Sequence, residues 1–96
     1  MATKAREPGG TAAGQANWDR KLAWPVTVRG GGPIATLSDA RLFILDLPDT
    51  IQGRLTWQYA ADLLLKAAES GSDGDTEQAT LQIERALIRD GRLGQE

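Results

Sequence analysis

Four acidic residues near the start of the last predicted helix have the spacing of a calcium-binding loop. They occupy positions 1, 3, 5 and 12 of such a loop: Asp73, Asp75, Glu77 and Glu84. Position 6, where the sharp turn of a calcium loop needs glycine, is Gln78. Because the turn residue is missing, we interpret these carboxylates as an acidic loop that favours the positive end of a helix dipole, and we predict no metal site.

Two further motifs could support chemistry, and neither is complete. Residues 30–32 are three glycines after a predicted strand, but they lack the GxGxxG spacing and the Lys-Ser/Thr pair of phosphate-binding loops. We therefore interpret them as the connection of a β-hairpin, where glycine tolerates a positive φ. Asp46 and Asp49 flank Pro48 and could form an acid–base pair, but only their nearness in the sequence supports that role.

The residue types that are missing restrict the function further. The chain has no cysteine and no histidine, so it cannot form disulfides, thiolate nucleophiles, or zinc and iron sites that use these ligands. Histidine is also the most frequent general base in enzymes. We therefore predict a protein that is not an enzyme, with no catalytic residue, no cofactor and no metal.

The remaining conspicuous side chains are of the kinds found at binding surfaces. Arg85, Arg89 and Arg92 have the i, i+4, i+7 spacing of one helix side, which could meet phosphates or an acidic partner. Acidic residues share that helix, so a solvated polar face is the alternative interpretation. Trp18 lies among polar residues near the amino end and could dock onto the domain or onto a partner.

Length and charge describe one small globular domain. The chain has 96 residues, of which 41% are hydrophobic, and a formal net charge of −2. Residues 1–29 carry a net +3 and the remainder carries −5, so we expect only weak affinity for nucleic acid. No apolar run exceeds four residues and the first residues are polar. This pattern predicts neither a membrane segment nor a secretion signal, and it indicates a cytoplasmic location.

Hydrophobic periodicity divides the chain into a tail and one domain. Residues 1–22 contain many glycines and alanines without hydrophobic periodicity, which predicts a disordered tail. The alternation in residues 24–29 predicts a strand, and residues 34–37 are expected to return antiparallel to it. We predict that residues 23–92 form a single α+β domain and that residues 93–96 fray.

Three helices are predicted after the hairpin. The first has Ser38 as its N-cap, a hydrophobic staple between Leu37 and Leu42, and an end before the next proline. The third has Asp75 as its N-cap and ends near Asp90, and its single apolar stripe indicates a surface helix. The core-facing residues of the first helix recur at i, i+3, i+4 and i+7: Ala40, Phe43, Ile44 and Leu47.

The second helix is predicted to lie at the centre of the fold. It begins between residues 54 and 57 and ends before Gly71, which takes the left-handed C′ position. Because most of its circumference is apolar, we expect it to be mostly buried between the hairpin and both other helices. We predict that an uncovered part of the side formed by Leu63, Leu65 and Ala67 contacts a second copy of the chain. Its polar residues form one narrow stripe: Gln58, Asp62, Lys66 and Glu69.

A set of short motifs within these elements can be compared with known families. The residues that carry the comparison are Trp24-Pro25-Val26-Thr27-Val28, Ile34, Ser38-Asp39-Ala40, Leu47-Pro48, Gly53, Tyr59-Ala60-Ala61, Leu64, Ala67-Ala68, Ile83, Ala86 and Asp90-Gly91. Over residues 24–91 the chain resembles domain-of-unknown-function family 982, which consists of small single-domain proteins found mainly in alpha-proteobacteria of soil and plant association. The resemblance implies a bacterial protein with a compact α+β fold, and it carries over no catalytic residue.

These observations predict a non-enzymatic α+β domain in which an N-terminal hairpin packs on three helices. We expect it to bind another protein or a second copy of itself. The alternative is a small DNA-binding transcriptional regulator, because a strand followed by helices and a basic tail also occurs in ribbon-helix-helix and helix-turn-helix proteins. The net acidity of the body argues against that alternative. The candidate contact residues are Trp18, Leu63, Leu65, Arg85, Arg89 and Arg92.

Overall fold

The computed structural model describes residues 16–94 of the chain. These residues form an antiparallel hairpin followed by helices, which confirms the predicted α+β class. Within this range, none of the helices has both the length and the hydropathy of a membrane-spanning segment. The disorder predicted for residues 1–15 and the fraying predicted for residues 95–96 lie outside the described residues. The elements are β1 (Lys21–Thr27), β2 (Pro33–Thr36), α1 (Leu37–Leu45), α2 (Asp49–Gln52), α3 (Leu55–Ser70) and α4 (Asp73–Arg89).

β1 begins earlier than the sequence predicts, because the residues before it are held by helices that follow much later in the chain. The Asn17 backbone N donates to a carbonyl of α3 at 2.9 Å. Arg20 Nε donates to Thr76 Oγ1 on α4 at 2.7 Å. Leu22 is buried in the core. The prediction of a disordered tail is therefore wrong for residues 16–22.

The hairpin is short and irregular. Val26 pairs with Ile34, both of which are buried, and the register shifts between Lys21 and Val26. Gly30 has φ +75°, a conformation that glycine adopts without strain. The prediction that the glycines of residues 30–32 connect two strands is confirmed.

The carboxyl end of the described chain pairs with the hairpin. Leu93 forms an isolated antiparallel bridge with Val28, and the Gly94 backbone N donates to the Thr27 carbonyl at 2.8 Å. A Cβ atom on Gly94 would lie 2.6 Å from Thr27 Cγ2, so this close approach requires glycine. The fraying predicted for residues 93 and 94 is therefore wrong, because these backbone groups have partners in the hairpin.

α1 is capped by Thr36 rather than by Ser38. The Asp39 backbone N donates to Thr36 Oγ1 at 3.0 Å, and the Thr36 backbone N donates to Asp39 Oδ2 at 3.2 Å. These two bonds form a capping box, so α1 begins immediately after β2. Leu37 is buried whereas Leu42 is 61% exposed, so the predicted staple between them is wrong.

α3 ends as predicted, and α4 begins earlier than predicted. Gly71 has φ +67°, the left-handed conformation expected after the last turn of α3. Ser72 is the N-cap of α4, because its Oγ accepts the Asp75 backbone N–H at 3.0 Å. Asp75, the predicted cap, therefore lies inside the first turn. The end of α4 at Arg89, followed by Gly91 with φ +69°, agrees with the prediction.

The elements enclose the core as a ring. β1 pairs with β2, β2 contacts α1, α1 contacts α3, α3 packs along α4, and α4 packs on β1. α3 thus lies between α1 and α4, as predicted. The largest apolar side chains that are completely buried come from four of these elements: Val26, Leu37, Trp57, Leu64, Ile83 and Leu87.

Two helices differ from the predicted burial. α3 leaves Leu55, Tyr59 and Leu65 exposed by 82%, 54% and 45%, so it is not covered over most of its circumference. α4 is not a surface helix, because it contacts both α3 and β1. Its completely buried Ala79 and Thr80 are small enough to let α4 lie between these two neighbours. The hairpin therefore packs on α4 and α1 rather than on α3.

Candidate functional site

The residues predicted to form an acidic loop lie within α4 rather than before it, and Asp73 and Asp75 occupy its first turn. Ser70 Oγ donates to Asp75 Oδ2 at 2.6 Å. This bond, with smaller contributions from Ser72 and the charge of Lys66, lowers the pKa of Asp75 below its ordinary value. Across residues 16–94, no group of three or more His, Cys, Asp or Glu is placed to hold a metal ion. Asp75 thus has a structural role at the junction of α3 and α4.

The two carboxylates beside Pro48 do not meet in one cavity. Asp46 lines a hollow between α1 and the hairpin, whereas Asp49 lines a hollow between α1 and α3. Both side chains are exposed. Asp46 and Asp49 therefore do not line a common cavity in which they could act as the acid–base pair considered from the sequence.

Trp18 packs onto the domain. It is half-buried against the core, and its carbonyl accepts the Ser38 backbone N–H at 2.9 Å. The guanidinium carbon of Arg41 lies 4.9 Å from the centroid of its ring, within the range of a cation–π contact. Of the two roles predicted for Trp18, docking onto the domain is the one that the structure shows.

A groove between α1 and α3 opens beside this pair. A second cavity of about 420 Å³, which α2 also lines, continues a first cavity of about 280 Å³ along α1 and α3, and the two share Ile44, Leu45 and Ala61. We call these two cavities together the α1–α3 groove. Residues that line its first cavity include Trp18, Arg41, Leu45, Ala61, Leu64 and Leu65.

The outward side of α1 carries exposed leucines. Leu42 and Leu45 are 61% and 58% exposed, and Leu65 on the opposite wall of the groove is 45% exposed. A further hollow of about 610 Å³ lies between α1 and the hairpin, and both Leu42 and Leu45 line it. Leu45 therefore forms a ridge that separates the hollow on the hairpin side from the α1–α3 groove. We call Leu42, Leu45 and Leu65 the leucine face.

Charges of opposite sign flank the leucine face on α1. Arg41 lines the cavity shared with α3, so it lies on the α3 side. Asp39 and Asp46 line the hollow shared with the hairpin, so they lie on the hairpin side. α1 thus has a positive edge and a negative edge, with Leu42 and Leu45 between them.

The three predicted arginines lie elsewhere. Arg85 and Arg89 are exposed on α4, and Arg92 is half-buried beyond its end. The Arg92 carbonyl accepts the Arg29 backbone N–H at 2.6 Å, so this residue helps to hold the carboxyl end against the hairpin. In the part of the chain that the structure describes, Arg85, Arg89 and Arg92 line neither the groove nor the hollow beside α1.

The predicted contact side of the second helix is not one surface. Leu65 faces the α1–α3 groove, Leu63 is half-buried against the core, and Ala67 is completely buried. Successive helix positions turn by about 100°, so Leu63 and Leu65 point to different sides. Leu63, Leu65 and Ala67 therefore do not share one side, and the uncovered part on which we predicted a contact with a second copy reduces to Leu65, which belongs to the leucine face.

Sequence reasoning missed Arg41, Leu42 and Leu45. A signal for the two leucines was present, because α1 has more large apolar residues than one helix face can bury. Leu42 and Leu45 fall outside the i, i+3, i+4, i+7 pattern that begins at Ala40. No comparable signal exists for Arg41, whose position depends on the packing of Trp18.

The leucine face and the adjoining groove are the features on which a functional assignment can rest. The acidic start of α4 is explained by helix capping, and Arg92 is explained in part by its contact with the hairpin. Comparison with known proteins adds no assignment: the chain matches no family model, no curated protein and no solved structure.

Proposed function

We propose that this chain is a cytoplasmic, non-enzymatic module that binds another protein through the leucine face. The supporting observation is the exposure of Leu42, Leu45 and Leu65, since Leu45 and Leu65 line the α1–α3 groove and Leu42 and Leu45 line the adjoining hollow beside the hairpin. Apolar surface left in water costs about 25 cal/mol per Å², and neighbouring exposed apolar side chains beside a groove are typical of binding sites. Single exposed leucines are ordinary, so the argument rests on their clustering.

The shape of the surface favours a protein over a small molecule. Small-molecule sites enclose most of the ligand, whereas the hollows here are open and lie on both sides of the Leu45 ridge. A protein surface can place apolar side chains in both hollows at once. The charged edges supplied by Arg41 and Asp46 match the polar rim that surrounds the apolar centre of protein interfaces.

The charge of the domain favours a protein over DNA. Residues 16–94 contain nine basic and eleven acidic side chains, and the edges of the leucine face have both signs. A surface for DNA needs a basic patch that can replace the counterions of the phosphates. If the chain were a DNA-binding regulator, it would shift DNA in electrophoresis at about 50 mM salt with a steep loss of affinity at higher salt. We expect no such shift.

The test removes apolar surface from the leucine face and from control positions. The variant Leu42→Gln/Leu45→Gln keeps good helix formers and the same charge. The control Leu55→Gln/Ile88→Gln removes two leucine-sized side chains that are 82% and 61% exposed and line neither the groove nor the hollow beside α1. Both variants are expected to keep the free energy of unfolding within about 1 kcal/mol of the unchanged chain.

The measurement is quantitative mass spectrometry of proteins captured from an extract of the native cells. We expect at least one protein that is retained by the unchanged chain and by the control variant but lost by the Leu42→Gln/Leu45→Gln variant. Identical protein sets for both variants would refute the proposal. Fractionation of the same cells tests the cytoplasmic location.

The resemblance to domain-of-unknown-function family 982 is a separate proposal that rests on the motifs quoted above.

A further inference from the structure

We propose that the partner on the leucine face is a second copy of this chain, related by a two-fold axis that runs parallel to α1. The inference rests on the proposed function and names its partner. It is carried by the distribution of charge across α1, where Arg41 lies on the α3 side and Asp39 and Asp46 lie on the hairpin side. The exposed Leu42 and Leu45 separate these two edges.

A two-fold axis requires a surface that is complementary to itself. Rotation about an axis parallel to α1 brings the Arg41 edge of each copy opposite the Asp39 and Asp46 edge of the other. An axis that lies in the interface perpendicular to α1 would instead place Arg41 against Arg41 and the carboxylates against carboxylates, which disfavours association. The charge pattern therefore selects the parallel axis over the perpendicular one.

The leucines supply the centre of this contact. Leu42 and Leu45 are three residues apart, so they are neighbours along one side of α1. Because they lie between the two charged edges, the parallel axis passes close to them and each meets leucines of the other copy. Burial of this apolar surface drives association, while the charges at the rim fix the orientation of the two copies.

Arg41 is held in a position suited to this role. Its guanidinium lies over the Trp18 ring, with 4.9 Å between the guanidinium carbon and the ring centroid. A side chain that is already ordered loses less conformational freedom when it binds. The Trp18 contact therefore prepares Arg41 to face the acidic edge of the second copy, where Asp39 is offset by about 3 Å and Asp46 by about 7.5 Å along the axis of α1.

Reversal of each charge tests the predicted pairing. We expect the unchanged chain to dimerise in sedimentation equilibrium, and we expect Arg41→Glu or Asp46→Arg alone to raise the dissociation constant of the dimer at least about tenfold at low salt. Asp46→Arg leaves the Trp18–Arg41 contact in place, so its effect does not depend on local repacking. The controls Arg85→Glu and Glu77→Arg make the same charge changes on exposed positions of α4 and are expected to leave the dissociation constant unchanged.

A mixture of the two single variants provides the decisive measurement. In a heterodimer of Arg41→Glu with Asp46→Arg, the introduced glutamate meets the introduced arginine, and the two remaining native charges meet each other. We therefore expect the equimolar mixture to dimerise more tightly than either single variant, and less tightly than the unchanged chain because Asp39 stays on the edge opposite the introduced glutamate. The combined variant Arg41→Glu/Asp46→Arg is expected to do the same. Failure of both to recover would overturn the parallel axis.

Two other results would overturn the inference. One is an unchanged chain that remains monomeric up to about 1 mM. The other is a dimer that is insensitive to Arg41→Glu, to Asp46→Arg and to Leu42→Gln/Leu45→Gln. A monomer that still captures a different protein through Leu42 and Leu45 would refute this inference and support the proposed function. Absence of both self-association and differential capture would refute both proposals.

Discussion

The two sides of α3 are built differently. On the α4 side, Thr56, Ala60 and Ala67 share one helix face, and Gln82 Nε2 of α4 donates to the Thr56 carbonyl at 3.2 Å. The alanines of this face are completely buried. On the α1 side, Leu65 stays 45% exposed beside a cavity of about 280 Å³. The α4 side is thus closed, whereas the α1 side is open.

Helix length and side-chain size explain this difference. α3 and α4 have sixteen and seventeen residues, whereas α1 has nine. At 1.5 Å per residue, α1 is about 14 Å long and can cover little more than half of α3. Completely buried Ala79 and Ala86 on α4 also let that helix approach α3 closely. A short helix with leucines and a long helix with alanines therefore leave one side open and close the other.

The same substitution on both sides of α3 is the strongest test of this comparison. Ala67 is completely buried, so Ala67→Leu must displace α4, and we expect it to lower the free energy of unfolding by about 3 kcal/mol. Ala61 is exposed and lines the α1–α3 groove, so Ala61→Leu should change that free energy by less than about 0.5 kcal/mol. Urea unfolding followed by tryptophan fluorescence measures both. Equal losses would mean that the two sides are equally tight.

A buried carboxylate links α4 to α3 at one end of the closed side, near the start of α3. Trp57 Nε1 donates to Asp90 Oδ2 at 2.6 Å, and Arg54 Nη1 donates to Asp90 Oδ1 at 2.8 Å. The Asp90 side chain is only 5% exposed. We expect Asp90→Ala to lower the free energy of unfolding by about 2 kcal/mol, because the buried indole N–H loses its acceptor. The control Asp62→Ala removes an exposed carboxylate of α3.

A second background isolates the indole bond. In Trp57→Phe, which has no N–H to satisfy, Asp90→Ala should cost clearly less than it does in the unchanged chain. If Asp90→Ala costs no more than Asp62→Ala, Asp90 does not link α3 to α4. An equal cost in both backgrounds would mean that the indole bond contributes nothing and that Arg54 carries the effect of Asp90. The measurement is again urea unfolding, followed by circular dichroism because Trp57→Phe changes the fluorescence.

Local signals predicted α1, α3 and α4 but missed the four-residue α2, and contacts distant in sequence account for the start of β1 earlier than predicted. The end of α3 at Gly71 follows from a rule that involves only neighbouring residues. The start of β1 does not, because Arg20 is held by Thr76 and the Ala23 backbone N donates to Thr80 Oγ1 at 3.0 Å, both across more than fifty residues. Nothing in residues 16–22 alone indicates that α4 will hold them.

The candidate site shows the same limit. The surplus of leucines in α1 could have indicated that Leu42 and Leu45 remain exposed, since they fall outside the apolar stripe of that helix. Which hollows these leucines line depends on where α3 and the hairpin pack against α1. The assignment of Leu63 and Leu65 to one surface failed for that reason: a helix that is apolar on several sides does not reveal which side its neighbours cover.

Asp75 fastens the other end of the closed side, and its effect should be small and dependent on pH. The Ser70 hydroxyl, followed by Ser72 and Lys66, lowers the pKa of Asp75 below its value in the unfolded chain. A lowered pKa means that the ionised form favours folding, so this stabilisation is complete above the ordinary aspartate pKa and is lost as the pH falls through the lower folded pKa.

Asp75→Asn should therefore be less stable than the unchanged chain at neutral pH, and the difference should shrink as the pH falls toward about 2. Urea unfolding at a series of pH values measures it. Glu77→Gln removes an exposed carboxylate two residues further along α4, and it separates the effect of net charge from that of the Ser70 bond. If the difference in stability between Asp75→Asn and the unchanged chain stays constant at every pH, the serine and lysine contacts do not favour the ionised carboxylate. In that case only Asp90, at the other end of the closed side, would link α3 to α4 through a charged group.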